Sequence, residues 1–180
     1  MERFTIYLEM PQYLAQWYAD DCLRYEYKNE DYKPQAVYKF PEVVVPIRGS
    51  QESKILEYFL QKQPCAVPEL GVPDGATLAL GIPCYKYKNP LYYNYLGKNA
   101  KKMLVQTIRD RFAIELWQEL HTFENVLSRQ DNAIFSFMEA HGIEITETNW
   151  NALAKIYQRQ RDVYYKQKYR KKNSEKSSKK

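Results

Sequence analysis

The sequence predicts an α+β fold. A mixed N-terminal half of short strands and helices leads into a mainly helical C-terminal half that ends in a helix-turn-helix-like unit. Three observations predict this. All nine prolines fall between Pro11 and Pro90, and five of the six glycines between Gly49 and Gly97, so the chain changes character near residue 97. Phe4, Ile6 and Leu8 alternate with Thr5, Tyr7 and Glu9, the period of a half-buried strand. Leu96, Ala100, Leu104, Ile108, Phe112, Leu116 and Leu120 recur every four residues, the spacing of a helix.

The elements follow in order. After the first strand, Pro11 suits the first turn of a short helix through Leu14, Trp17 and Tyr18. Residues 26–40 are charged and tyrosine-rich without clear period, which predicts a loop with a strand at Ala36–Phe40. Val43, Val44 and Val45 form a short buried strand. Gly49-Ser50 opens a helix, with Glu52 behind it and Ile55, Leu56, Phe59 and Leu60 as its apolar run. Residues 64–75 carry Pro64, Pro68, Gly71, Pro73 and Gly75 and read as a loop. Thr77–Tyr85 reads as a strand that Pro83 places at a sheet edge.

The second half begins with a long helix from about Tyr92 to His121. A strict four-residue row drifts by about 40° per step around the helix axis, so its apolar stripe winds. Met103, Ile114 and Trp117 widen it, which predicts a central helix packed on several sides. A helix at Asp131–Ala140, a turn at His141-Gly142-Ile143 and a helix from Glu147 to Lys172 follow, with Thr146 or Thr148 as the cap of the last. In domain terms, residues 1–96 form a mixed region suited to oligomerisation or partner binding, and 97–172 form the helical region. Residues 173–180 (NSEKSSKK) form a disordered basic tail.

Charge supplies the functional direction. From Asn151 to Lys180 eleven Lys or Arg stand against two acids, a segment of +9, whereas the preceding 150 residues hold sixteen against twenty, or −4. A basic end on an acidic body suits a polyanionic partner, and nucleic acid is the commonest. On a helical wheel with Trp150 at zero, Leu153, Tyr157 and Tyr164 lie within about 60° and form a core face. Thr148, Lys155, Arg159, Lys166 and Arg170 fall between about 140° and 200°. Arg161 and Lys168 fall back on the core side, where burial would be costly, so the packed part of the helix should end near Tyr157–Gln160 and the rest project as a basic rod.

The unit therefore resembles a helix-turn-helix whose second helix meets DNA. Lys155, Arg159, Lys166 and Arg170 are the expected phosphate contacts, assisted by Arg161, Lys168, Lys171 and Lys172. Thr148, Asn149 and Asn151 are expected at or near base edges, although Asn149 and Asn151 suit helix capping equally well. The plain alternative is a solvated helix face with a solubilising tail.

Other chemistry finds little in the sequence. His121 and His141 are twenty residues apart and offer no zinc spacing, no nucleophile arrangement is recognisable, and no glycine-rich phosphate loop is present. The expectation is a non-enzyme without metal or cofactor. Cys22, Cys65 and Cys84 are odd in number and far apart, as in a reduced cytoplasmic protein, and no stretch reads as a membrane span or signal peptide. Of the seventeen tyrosines, thirteen lie in the first 95 residues, where strand and interface roles compete with base stacking.

Phe137 to Arg161, FMEAHGIEITETNWNALAKIYQRQR, resembles the C-terminal region of uncharacterised proteins from bacterial mobile elements and prophages, on HGI followed by TNWNALAKIYQR. The resemblance implies a DNA-binding accessory protein of such an element, acting in transcription regulation, replication or transfer, and it brings no functional residues. The expected partner is double-stranded DNA, with a homodimer or a protein partner through the first half. The alternatives are a protein-interaction module whose basic helix docks an acidic surface, and an RNA or single-strand binder.

Overall fold

The structure, a computed structural model, describes residues 4–26, 37–64, 72–124 and 130–177, with 122–124, 130 and 171–177 described by backbone alone. Alternation at the start of the chain makes β1 (Thr5–Leu8), whose Ile6 and Leu8 are buried while Phe4 just before it is exposed. Pro11 then opens α1 (Gln12–Glu26), its carbonyl accepting from the Leu14 and Ala15 N–H groups. The helix is longer than the short one expected, because Trp17, Tyr18, Ala19 and Cys22 continue its buried face.

Three strands form one small sheet. β2 (Val43–Val44) runs parallel to β4 (Leu78–Gly81), and β1 runs antiparallel to β4 on its other side, with Thr5 opposite Gly81 and Leu8 opposite Leu78. β4 is thus the central strand, buried at all four residues, and corrects the edge position that Pro83 suggested. The physical reason is that β4 ends at Gly81, so the missing proline N–H falls outside the ladder. The strand expected at Ala36–Phe40 is also corrected. Residues 37–40 carry no strand, Ala36 lies outside the described residues, and Tyr38 is pinned by hydrogen bonding instead. Its hydroxyl donates to the Glu42 carbonyl at 2.8 Å and accepts from the Ala79 N–H at 3.1 Å.

α2 (Gln51–Phe59) starts where Ser50 caps it, the Ser50 Oγ accepting from the Ser53 N–H at 3.1 Å. β3 (Gln61–Lys62) follows and pairs antiparallel with β5 (Tyr93–Tyr95). The long helix therefore begins later than Tyr92: Tyr93 to Tyr95 form a strand, and α3 runs Lys98–Glu124 without a break. Aromatic residues fit a pleated surface better than a helix start, and Gly97 separates the two elements.

α3 is the axis of the molecule. Every member of the four-residue row from Leu96 to Leu120 is buried. Because the row winds, α3 packs against α1, α2, α4 (Gln130–Ala140) and α5 (Glu147–Ser177) in turn. Phe112 joins two of them, α1 and α4, with its ring 5.2 Å from Trp17, 5.4 Å from Tyr13 and 6.0 Å from Phe137. Met103 and Ile114, expected to widen the stripe, are exposed instead. At the end of the chain α5 is helical through Ser177, five residues into the segment expected as an unstructured tail; 178–180 lie outside the described residues. No helix among the described residues is long and apolar enough to cross a membrane.

Candidate nucleic-acid interface

The turn between α4 and α5 is built from local chemistry. Gly142 sits at φ 60°, a left-handed conformation glycine adopts without strain, and an added β-carbon would meet Asp20 Oδ1 at 3.3 Å. The Ile143 N–H reaches back to the Met138 carbonyl at 2.8 Å and closes α4 in the manner of a Schellman cap. α1 anchors the turn. Arg24 donates to the Ala140 carbonyl at 2.7 Å and to Asp20 at 2.8 Å, and the Glu144 N–H donates to Gln16 Oε1 at 3.1 Å.

Thr146 caps α5, its Oγ1 accepting from the Asn149 N–H at 3.2 Å. The Asn149 side chain is buried and donates to the Glu144 carbonyl at 2.9 Å. It is therefore corrected out of the base-reading set: its amide holds the turn and faces no solvent. Thr148 and Asn151 are exposed. Their surroundings are acidic, with Glu144 and Glu147 both exposed at the helix start. The first cation of α5, Lys155, comes two turns later.

Beyond its cap α5 has two parts. Leu153 and Tyr157 are buried, and Trp150 is half-buried against Phe135 at 6.3 Å. Trp117 of α3 receives the Tyr157 ring at 5.5 Å and the Tyr164 ring at 5.5 Å, and Tyr164 also lies 5.1 Å from His121. From Asp162 to Arg170 every residue is exposed, yet Tyr164 still touches α3, so packing runs about one turn past the Tyr157–Gln160 end that the wheel suggested. Lys155, Arg159, Lys166 and Arg170 are all exposed on the stripe opposite Tyr157. Lys168, also exposed, lies 5.9 Å from the Tyr164 ring, and Arg161 is half-buried. Lys171 and Lys172 belong to α5 by backbone, their side chains lying outside the described residues.

A second polar cluster escaped the sequence reading. His141 is buried at the end of α4, with Nε2 3.0 Å from Glu119 Oε1 and Nδ1 3.7 Å from Glu115 Oε1. Trp17 Nε1 adds a long hydrogen bond of 3.4 Å to Glu115. Burial raises the Glu115 pKa, and the neighbouring His141 works against that rise. Among the described residues Glu115, Glu119 and His141 are the one set with three potential metal-ligand atoms, all within 4.8 Å of one another. Both imidazole nitrogens face carboxylates, so the cluster ties the end of α4 to α3. The four-residue spacing of Glu115 and Glu119 was the available signal, but their histidine partner lies more than twenty residues away.

No protein-family model matches the chain, and no curated protein or solved structure matches it.

Proposed function

We propose that the chain binds duplex DNA as a regulatory or accessory protein, with α5 lying along the phosphates. The observation that carries this reading is the projection of α5. Residues 162–170 are all exposed, and Lys155, Arg159, Lys166 and Arg170 share one face of a single helix. A polyanion approached by that face meets successive cations at intervals of roughly 6, 10 and 6 Å along the axis, from the helical rise between those positions. The acidic start of α5 argues for phosphate contact by the rod over insertion of the first turn into a groove, leaving Thr148 and Asn151 as secondary base contacts. The resemblance of residues 137–161 to proteins of bacterial mobile elements points the same way.

The test is fluorescence anisotropy of the full chain on labelled random duplex DNA across a salt series. Four phosphate contacts give a log–log slope of about −3.6. The double variant Lys166→Glu/Arg170→Glu should flatten that slope by about two units. Charge reversal is preferable to deleting α5, because Leu153 and Tyr157 belong to the core. Absence of binding at about 50 mM salt, where phosphate contacts are strong, would reduce α5 to a solvated face.

A second reading has its own observation. Tyr165 and Tyr169 are exposed on the rod at helical spacing and could stack on unpaired bases. Stronger competition by single-stranded RNA or DNA than by duplex would favour it.

A further inference from the structure

A cleft of about 530 Å³ opens between the first half of α3 and the end of β1, a volume within the ~300–1,000 Å³ of small-molecule sites. α3 supplies one wall. Lys98, Lys102, Val105 and Arg109 recur at helical spacing and face the cleft, with Lys101 beside them. Tyr7 of β1, Glu9 and the turn carrying Asp74 form the other wall.

This wall carries four cations, Lys98, Lys101, Lys102 and Arg109. Among the described residues none of the four has a carboxylate at ion-pair distance. Arg111, further along the same helix, has two, Asp21 and Glu52. Three of the four also crowd the first five residues of α3, whose first turn holds no acid, so they repel each other and the positive end of the helix dipole. An anion in the cleft would relieve that repulsion.

We infer that the cleft binds a nucleoside phosphate, either free or as one unit of a single strand. The phosphate meets Lys98, Lys102 and Arg109. The flat ring lies between the Val105 side chain and Tyr7, whose ring is steadied edge-on by Phe40 at 6.1 Å. Glu9 and Asp74, on the opposite wall, accept from sugar hydroxyls or an exocyclic amino group. Inorganic phosphate would use the cationic wall alone, and an uncharged nucleoside the other wall alone. The cleft lies along Lys98–Arg109, whereas α5 seats on Trp117 and His121, so its ligand does not depend on α5.

Isothermal titration calorimetry of the full chain with adenosine 5′-monophosphate tests this, with adenosine, inorganic phosphate and a five-nucleotide single-stranded DNA as comparison ligands. The monophosphate should bind with Kd below about 1 mM and at least about tenfold tighter than adenosine or phosphate. Lys102→Glu/Arg109→Glu should weaken it at least about tenfold, and the gentler Lys98→Gln/Lys102→Gln severalfold, both with unchanged circular dichroism. Lys166→Glu/Arg170→Glu should leave it intact, which separates the cleft from α5. A pentanucleotide that binds tighter than the monophosphate and is lost in the same variants identifies the strand as the source; a weaker one identifies the free nucleotide. No binding at about 10 mM monophosphate, equal binding of inorganic phosphate, or insensitivity to both α3 variants would overturn the assignment.

Discussion

Arg111 on α3 and Arg170 on α5 carry the same charge in opposite settings. Arg111 lies 2.8 Å from Asp21 and 3.2 Å from Glu52, and its guanidinium stacks 4.9 Å from the centre of the Trp17 ring. Its N–H groups do not align with those oxygens as hydrogen bonds, so the contact is one of charge proximity. Burial disfavours the charged form, yet Asp21 and Glu52 outweigh it and raise the Arg111 pKa. Nothing comparable surrounds the exposed Lys166 and Arg170, where Asp162 is the single acid between Asn151 and Arg170. Arg111 faces internal carboxylates, whereas the cations of the rod are turned outward. A charge that serves stability is found with its counter-charge, and one left without it is available to a partner.

Substitutions in the two regions should therefore fail differently. The largest effect is expected at the joint between them. Tyr157→Ala removes a fully buried ring stacked on Trp117 and should cost about 3–5 kcal/mol, lowering the Tm by roughly 10 °C in thermal unfolding. Arg111→Met comes next. It strands the buried Glu52 carboxylate, and because the guanidinium is one-third exposed the loss should be about 2–4 kcal/mol, below that of a fully buried pair. Adding Glu52→Gln should recover part of it in denaturant titrations; a double variant no more stable than the single would show that the pairing matters little. On the rod, Lys166→Glu/Arg170→Glu should leave the stability within about 0.5 kcal/mol of the parent while lowering duplex affinity by about ten- to a hundredfold at low salt. A matching loss of stability would erase the distinction between the regions. The smallest effect belongs to Thr146→Ala, which removes the cap of α5 and should cost about 1 kcal/mol by chemical denaturation, whatever happens to the rod's charges.

The legible parts of this molecule are those decided within a few residues. Gly142, Thr146 and the Leu153–Tyr157 spacing mark the turn, the cap and the packed face of α5 by local rules, and the row from Leu96 to Leu120 declares a helix surrounded on several sides. Long-range pairing left no such mark. Arg111 finds Asp21 and Glu52 across the fold, and His141 finds Glu115 and Glu119, because tertiary packing brings α1, α2 and α4 onto α3. Local signals also misled where two of them competed. Pro83 suggested an edge strand although the strand stops before it, and Asn149 satisfied both the base-contact pattern and the capping pattern, whereas its buried amide holds the Glu144 carbonyl and Thr146 is the cap. The lysines of the α3 cleft were hidden because the first 150 residues carry a net negative charge.

The projecting half of α5 has a consequence for how the protein answers salt. Lys155 with Arg159, and Lys166 with Arg170, are like-charged neighbours four residues apart, a spacing that weakens a helix. Among the described residues beyond Tyr164 no packing against the body offsets that repulsion, and a segment of this length is marginal by itself in water. Added salt screens the repulsion and should deepen far-UV helicity. The same salt loosens any grip on phosphates. One set of side chains thus turns ionic strength into two opposed responses, a firmer rod and a weaker hold, and a bound polyanion is the condition that supplies both at once.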